Sequence, residues 1–372
     1  MNETRKILLA LLRCGLAADG GEAAAKLSPL FDGLTARPDW KAVYKLSAAQ
    51  GVLAVAWDGL QRLIDEGVIP ESLHPDRQLM LQWVYNVQVI EDTFRKQEHA
   101  VAKLAGFYAL NGIDMMLLKG YGLSLCYPVP EHRPCGDIDI WLYGRQKEAD
   151  DLLRRKGVQI DEDKHHHTVF TINGVMVENH FDFLNVHSHI ENREQELILR
   201  REVEAPSESV EVEGVSVNLP PANFNALFLL RHAAGHFAAE KIGLRHITDW
   251  GLFVVRYGSE IRWDWLETTA REYNMHRFLY CMNAIAVTVC GLEGSLFPKY
   301  ERDELEERVF NDILSPEFSE ARPLGFVKLN IYRIRRWLAN RWKHELVYRE
   351  GLVKTFIVQL YCHLLKPKSF TY

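Results

Sequence analysis

The stretch "HHHTVFTINGVMVENHFDFLNV" limits the fold of this chain more than any other, because Asn173-Gly174 sits between two alternating runs. Asn-Gly flanked in this way is the strongest short-range signal for a two-residue hairpin turn. Such a turn sets the register: Ile172 faces Val175, Val169 faces Glu178 and His167 faces His180. Period-2 alternation then gathers Glu178, His180 and Asp182 on one face of the second strand. Val177, Phe181 and Phe183 take the other face. The middle of the chain is therefore built on a sheet.

A second strand precedes the hairpin. "GDIDIWLYG" is bounded by glycines, and Asp137 and Asp139 point one way while Ile138, Ile140 and Leu142 point the other, into a core. Two carboxylates side by side repel, so keeping both charged requires a cation or a basic partner. A hard divalent ion such as Mg²⁺ is held by one or two carboxylates together with substrate phosphates. Glu178 is the candidate third acid, and Asp182 its substitute. Further upstream, "IDMMLLKG" is too short for a helix and reads as a strand ending at Lys119-Gly120. "YGLSLCYP" is a helix stopped near Pro128 and Pro130, and "RQKEADDLLRRKG" a helix stopped at Gly157. Strand, helix, strand, helix and hairpin make a mixed α/β unit over about Leu104 to Val217.

The flanks are helical. "ETRKILLALLRCGLA", "WKAVYKLSAAQGVLAVAWDGLQRLIDEG" and the long run ending at Asn111-Gly112 carry apolar residues at helical spacing. After "LPPANF" the chain is helical again, with breaks near Gly258, Gly291, Pro316 and Pro323. The expected fold class is α+β: a mixed sheet with flanking helices between helical N- and C-terminal regions. The expected division is 1–103, 104–217 and 218–372. A chain of 372 residues is too long for one small core.

With 47% apolar and 25% charged residues, a disordered or collagen-like chain is excluded. The net charge of -6 advertises no general nucleic-acid binding, and no DNA partner is indicated. Charge is uneven, however: from Gly325 to Lys354, eight Lys/Arg stand against Glu345 and Glu350. Tyr332, Trp337, Trp342 and Tyr348 interleave with them. Such a stretch suits RNA or an acidic partner, or is a surface helix with core aromatics and solvated charges. Cys14, Cys126, Cys135, Cys281, Cys290 and Cys362 form no CxxC pair and read as free thiols in a reducing compartment. The "ILLALL" run is short for a signal-peptide core and is interrupted by Arg13, and no run is long enough to span a bilayer. A cytoplasmic soluble protein without a membrane partner is expected.

Histidines add a further pattern. His165, His166 and His167 are consecutive, so on a strand they alternate faces and do not all converge. One of them, beside His180, is expected to orient a carboxylate or a substrate; imidazole with carboxylate also suits Zn²⁺. His232 and His236 are four apart and share a helix face, followed by His246 and Asp249. They form either a hydrogen-bonded core network or the acceptor-side wall of a site.

The segments "LLKGYGLSLCYP", "RPCGDIDIWL" and "GVMVENHFDF" resemble the nucleotidyltransferase superfamily that includes DNA polymerase beta and the aminoglycoside nucleotidyltransferases. More closely, they resemble the bacterial group described as uncharacterised nucleotidyltransferases, whose helical part is similar to "LPPANFNALFLLRHAAGHF" and "LRHITDWGLFV". The resemblance runs over roughly Ala100 to Val255. Members have a Gly-Ser or Gly-Gly turn, then an Asp-x-Asp strand, then a third acid; here the turn reads Lys119-Gly120 and lies further from Asp137. The resemblance implies transfer of an NMP unit from an NTP to a hydroxyl of a small molecule, a protein or an RNA end, with pyrophosphate released. Asp137, Asp139 and Glu178 would be catalytic and bind Mg²⁺ or Mn²⁺. Lys119, Gly120 and Arg133 would bind nucleotide, with amides at the start of the Gly120 helix facing phosphate. His167, His180, Asp182, His232 and His236 would act behind the acids or on the acceptor side. Two other readings stand beside this one: a catalytically idle relative that binds nucleotide or a partner, and a phosphohydrolase using the histidine cluster.

Overall fold

The computed structural model describes residues 2–300, 302–355 and 358. The chain opens with four helices, α1 (Glu3–Leu16), α2 (Gly20–Asp32), α3 (Trp40–Ala49) and α4 (Leu53–Asp65), and a long α5 (Arg77–Leu110). Asn2, Asp19, Asp39 and Asp76 start four of these by accepting a backbone N–H of the first turn. β1 (Met116–Leu117), α6 (Tyr121–Ser124), β2 (Ile138–Trp141) and α7 (Gln146–Arg155) follow, then β3 (His167–Ile172) and β4 (Val175–His180). Next come α8 (Glu191–Glu202), β5 (Ser209–Val212) and β6 (Val215–Asn218). The last part holds α9 (Ala222–Ala239), α10 (Leu244–Tyr257), α11 (Trp263–Glu272), α12 (His276–Thr288), α13 (Glu304–Leu314), α14 (Phe326–Ala339) and α15 (Arg341–Val347).

The fold is α+β, and its six strands form one mixed sheet in the order β3-β4-β2-β1-β6-β5. The β3–β4 hairpin has the expected register, with Ile172 opposite Val175, Val169 opposite Glu178 and His167 opposite His180. Asn173 and Gly174 both have positive φ, 53° and 80°, as a type I′ turn requires. β2 lies parallel to β4, which sets Asp139 beside Glu178. β1 pairs antiparallel with β2 and parallel with β6.

The sheet separates two apolar cores. Ile138, Ile140, Leu142, Phe170 and Val177 face Leu104 and Tyr108 of α5 and Leu153 of α7. Met116, Leu118 and Trp141 face the other way, into a core shared by α1–α4 with α9, α10, α12 and α13. The N- and C-terminal helices therefore pack as one body against one face of the sheet. α5 runs unbroken across position 103 and joins both cores. α8 and the β5–β6 hairpin, which turns at Glu213-Gly214, are additions to the elements expected.

The basic C-terminal stretch is absorbed by the fold only in part, and Lys328, Arg335, Arg341 and Lys354 stay exposed. Lys343 is fully buried and ion-paired with Asp312 at 2.5 Å. Arg336 pairs with Glu240, and Arg349 with Glu194. Tyr348 is sandwiched against His189 at 3.8 Å, and Trp342 meets Phe237 edge-on at 5.5 Å. These two aromatics are core, and Lys343 is no solvated charge. Cys14, Cys126, Cys135 and Cys290 carry free thiols; Cys362 lies outside the described residues. No described helix is long and apolar enough to cross a membrane.

α1 and α4 cross at glycines, and a Cβ on Gly59 would collide with the Leu11 carbonyl. Gly59→Ala is expected to lower stability by about 1–3 kcal/mol, since overpacking forces backbones apart. A reduced thermal midpoint tests this; an unchanged midpoint contradicts the crossing.

Candidate active site

The site grows from the ends of β1, β2 and β4 on the sheet face that looks toward α9 and α10. At the end of β1 the chain turns at Gly120, with φ 57° and ψ −113°. A Cβ there would sit 3.2 Å from the Asp137 carbonyl oxygen, so only glycine fits without strain. α6 is a single turn of four residues, which leaves little helix dipole to aim at phosphate. What remains of that expectation is the turn itself, with Lys119 and Gly120 beside Asp137 and Asp139 in one cavity.

Asp139 is the hub, at 1% exposure. Its Oδ1 lies 3.0 Å from Lys119 Nζ and 3.1 Å from His180 Nε2. The opposite ring nitrogen of His180 is 3.1 Å from the Asp182 carbonyl oxygen. Both His180 nitrogens thus face atoms that only accept, so the ring carries two protons. Burial opposes that charge, but the hydrogen bond to Asp139 and the Glu178 carboxylate close by raise the His180 pKa to about 9. Burial likewise opposes the Asp139 charge, yet Lys119, and then His180, hold this carboxyl well below its usual range. Lys119 stays protonated because Asp139, Asp137 and Glu178 outweigh its desolvation.

Glu178 stands between two imidazoles, Oε1 at 3.5 Å from His167 Nε2 and Oε2 at 3.6 Å from His180 Nε2. Ligand atoms of Asp139, Glu178 and His180 lie within 4.8 Å of one another, and so do those of His166, His167 and His180. The convergence of His166 with His167 corrects the alternation expected of consecutive residues. His166 precedes β3, and its carbonyl accepts from both Phe181 and Asp182 N–H, which turns the backbone out of the strand pattern. Their rings are 4.3 Å apart, while His165 approaches His187 instead. Burial drives the pKa of His166 well down and that of His167 to about 4, so both rings are neutral.

Asp137 sits one residue before β2, half-buried, and lines the cavity without joining either cluster. Across the cavity stand His232 from α9 and Arg245, His246 and Asp249 from α10. His236 lies behind, its ring 4.5 Å from that of His232. Burial, and then the Lys119 charge, push both His232 and His236 downward. His246 Nδ1 accepts from Gly243 N–H at 3.2 Å, which leaves the proton on Nε2. Arg245 was not expected. It stands one residue before His246 in "LRHITDW", half-buried, and adds a cation to the wall.

Two expected residues are engaged elsewhere. Both arms of the Arg133 guanidinium hold Asp249, at 2.7 and 2.8 Å, and Tyr127 also donates to Asp249. Arg133 lines the cavity but is committed to tying the approach of β2 onto α10, and His132 beside it bonds Asp58 and Glu91. The Asp182 carboxylate pairs with Arg200 at 2.6 Å and does not substitute for Glu178.

The donors fit a divalent ion. Asp139 and Glu178 are adjacent across parallel strands, His180 shares their cluster, and Asp137 opens on the same cavity. Ligation by His180 requires its Nε2 to release a proton, and ligation by Asp139 requires Lys119 to yield.

Two outcomes follow from this geometry. The folded His180 pKa of about 9 exceeds its ordinary 6.5, so its contribution to stability is complete below about pH 6.5 and is lost as pH rises through about 9. An imidazole resonance titrating near 9 checks this, and one titrating near 6.5 contradicts it. Asp249→Ala leaves the Arg133 charge buried and unpaired, which costs about 3–5 kcal/mol. Denaturant unfolding reads that loss directly; a change under about 1 kcal/mol contradicts the buried pair.

Comparison with known proteins bears on the whole arrangement. No curated protein matches the sequence. The crystal structure of an antigenic nucleotidyltransferase-like protein from Paracoccidioides brasiliensis is similar at 15% identity and a TM-score of 0.31, over 43% of this chain and 75% of that one. A likeness of that size adds nothing to the fold described above. The family described as "Uncharacterised nucleotidyltransferase" matches residues 36–291, well over half of the sequence, and takes in every site residue named here. The chain belongs to the uncharacterised nucleotidyltransferase family.

Proposed function

We propose that this protein transfers an NMP unit from an NTP to a hydroxyl group of an acceptor, with Mg²⁺ or Mn²⁺, in the cytoplasm. The observation that carries the reading is Asp139, which stands in register with Glu178 on the neighbouring parallel strand and opens, with Asp137, on a cavity that also holds Lys119 and Gly120. A bound divalent ion supplies charge neutralisation and a more acidic attacking hydroxyl. Asp137, Asp139 and Glu178 are the residues that would hold it.

The chain's own groups do the rest. The turn at Gly120 brings backbone close to the triphosphate, and Lys119 offers its ammonium to the pyrophosphate as it leaves. The acceptor oxygen attacks the α-phosphorus, the bond to the bridging oxygen breaks, and Glu178 takes the hydroxyl proton. His232, Arg245 and His246 form the opposite wall, where the acceptor enters. Acceptor and base preference are left open by the same geometry. Free thiols at Cys14 and Cys290 accord with a reducing compartment.

One observation favours a second reading, a catalytically idle relative that binds nucleotide or a partner. Lys119 and His180 together already neutralise Asp139, as an ion would.

The test uses NTPs labelled at the α- or γ-phosphate, incubated with the protein and with small-molecule, protein and RNA fractions. Transfer predicts α-label in an acceptor and γ-label in pyrophosphate, with at least a 100-fold loss of rate in Asp139→Ala. Nucleotide binding without transfer to any fraction supports the idle reading.

A further inference from the structure

We propose that His166, His167 and His180 form a nitrogen-rich site for a first-row transition ion such as Zn²⁺ or Co²⁺, with Glu178 at its edge beside His167 and His180. The distances speak for an ion rather than for hydrogen bonds. Glu178 Oε1 to His167 Nε2 is 3.5 Å and Oε2 to His180 Nε2 is 3.6 Å. Both exceed the usual hydrogen-bond range. In a tetrahedral site with metal–nitrogen bonds of about 2.0–2.1 Å, neighbouring ligand atoms stand about 3.3 Å apart and ring centroids about 5 Å apart. The ring centroids here are 4.3 Å for His166–His167, 5.2 Å for His167–His180 and 5.5 Å for His166–His180.

Two further observations point the same way. His166 Nδ1 and His167 Nδ1 are buried and have no hydrogen-bond partner among the described residues. His167 turns its Nε2 to Glu178, so the unpartnered His166 Nδ1 is the one that calls for a ligand or an ordered water. His180 Nδ1 meets the Asp182 carbonyl, the outer contact that fixes a metal-bound imidazole, and Nε2, now on Asp139, would turn to the ion on giving up its proton. Three converging imidazoles, with a carboxylate at the edge, select Zn²⁺ or Co²⁺ over Mg²⁺, which prefers oxygen alone. Glu178 thus belongs to two neighbourhoods, carboxylates on one side and imidazoles on the other.

The site does not depend on the transfer reading, because its test uses no nucleotide. Chelator-treated full-length protein is titrated with Co²⁺ while the visible ligand-field bands are followed, with Zn²⁺ and Mg²⁺ as competitors. One equivalent of Co²⁺ with intense tetrahedral bands, displaced by Zn²⁺ but not by a 100-fold excess of Mg²⁺, is the expected result. His166→Ala and His167→Ala should each weaken Co²⁺ binding at least about tenfold. Weak six-coordinate bands, or displacement of Co²⁺ by Mg²⁺ in the wild type, overturn the site. Because that competition is read on wild-type protein, it decides the matter even if a histidine variant fails to fold.

Discussion

A buried carboxylate governs the centre of this protein. Asp139 lies at the middle of the sheet with 1% exposure, where an unpaired charge would cost several kcal/mol or more. Its charge survives because Lys119 arrives from the end of β1 and His180 from the end of β4. Each of those placements has its own requirement. Lys119 reaches Asp139 because the next residue is a glycine in a left-handed conformation packed against Asp137. His180 reaches it because β2 and β4 are parallel and in register. A one-residue slip of either strand would turn the acids into the apolar core on the far side.

The sheet makes that far side possible. Ile138, Ile140 and Val177 bury into the core with α5 and α7, so the same strands present carboxylates and imidazoles only toward α9 and α10. The opposite wall is held by its own buried pair, Arg133 with Asp249, which fixes the loop before β2 onto α10. His132 extends this bracing to Asp58 on α4 and Glu91 on α5. Helices from both ends of the chain therefore set the width of the cavity, although the reactive groups come mostly from the sheet.

Much of this was legible in the residues. Asn173-Gly174 set the hairpin register, and the Asp-x-Asp strand separated a polar face from an apolar one. Local pattern was enough in both cases because period-2 burial and turn chemistry act within a few residues. The β5–β6 hairpin alternates as clearly, but Glu213-Gly214 is a weak turn signal. Long-range partnerships were not legible. The resemblance assigns Arg133 to nucleotide binding, whereas its bidentate bond to Asp249 spans 116 positions. The meeting of His166 with His167 depends on a backbone turn just outside β3, where strand alternation no longer applies. Lys343 stands in a run of basic residues that local pattern does not bury, and its partner Asp312 lies on another helix.

The central claim is that the carboxylates of β2 and β4 hold a metal and a nucleotide together. Thermal unfolding of the wild type with each NTP, with and without Mg²⁺ or Mn²⁺, tests this beside the Asp137→Ala/Asp139→Ala variant. A ligand at 100 times its dissociation constant adds about 2.7 kcal/mol of stability, enough to move the midpoint visibly. A metal-dependent shift with at least one NTP in the wild type, absent from the variant, is the predicted result. A folded wild-type protein that no NTP stabilises under any of these conditions would contradict the claim.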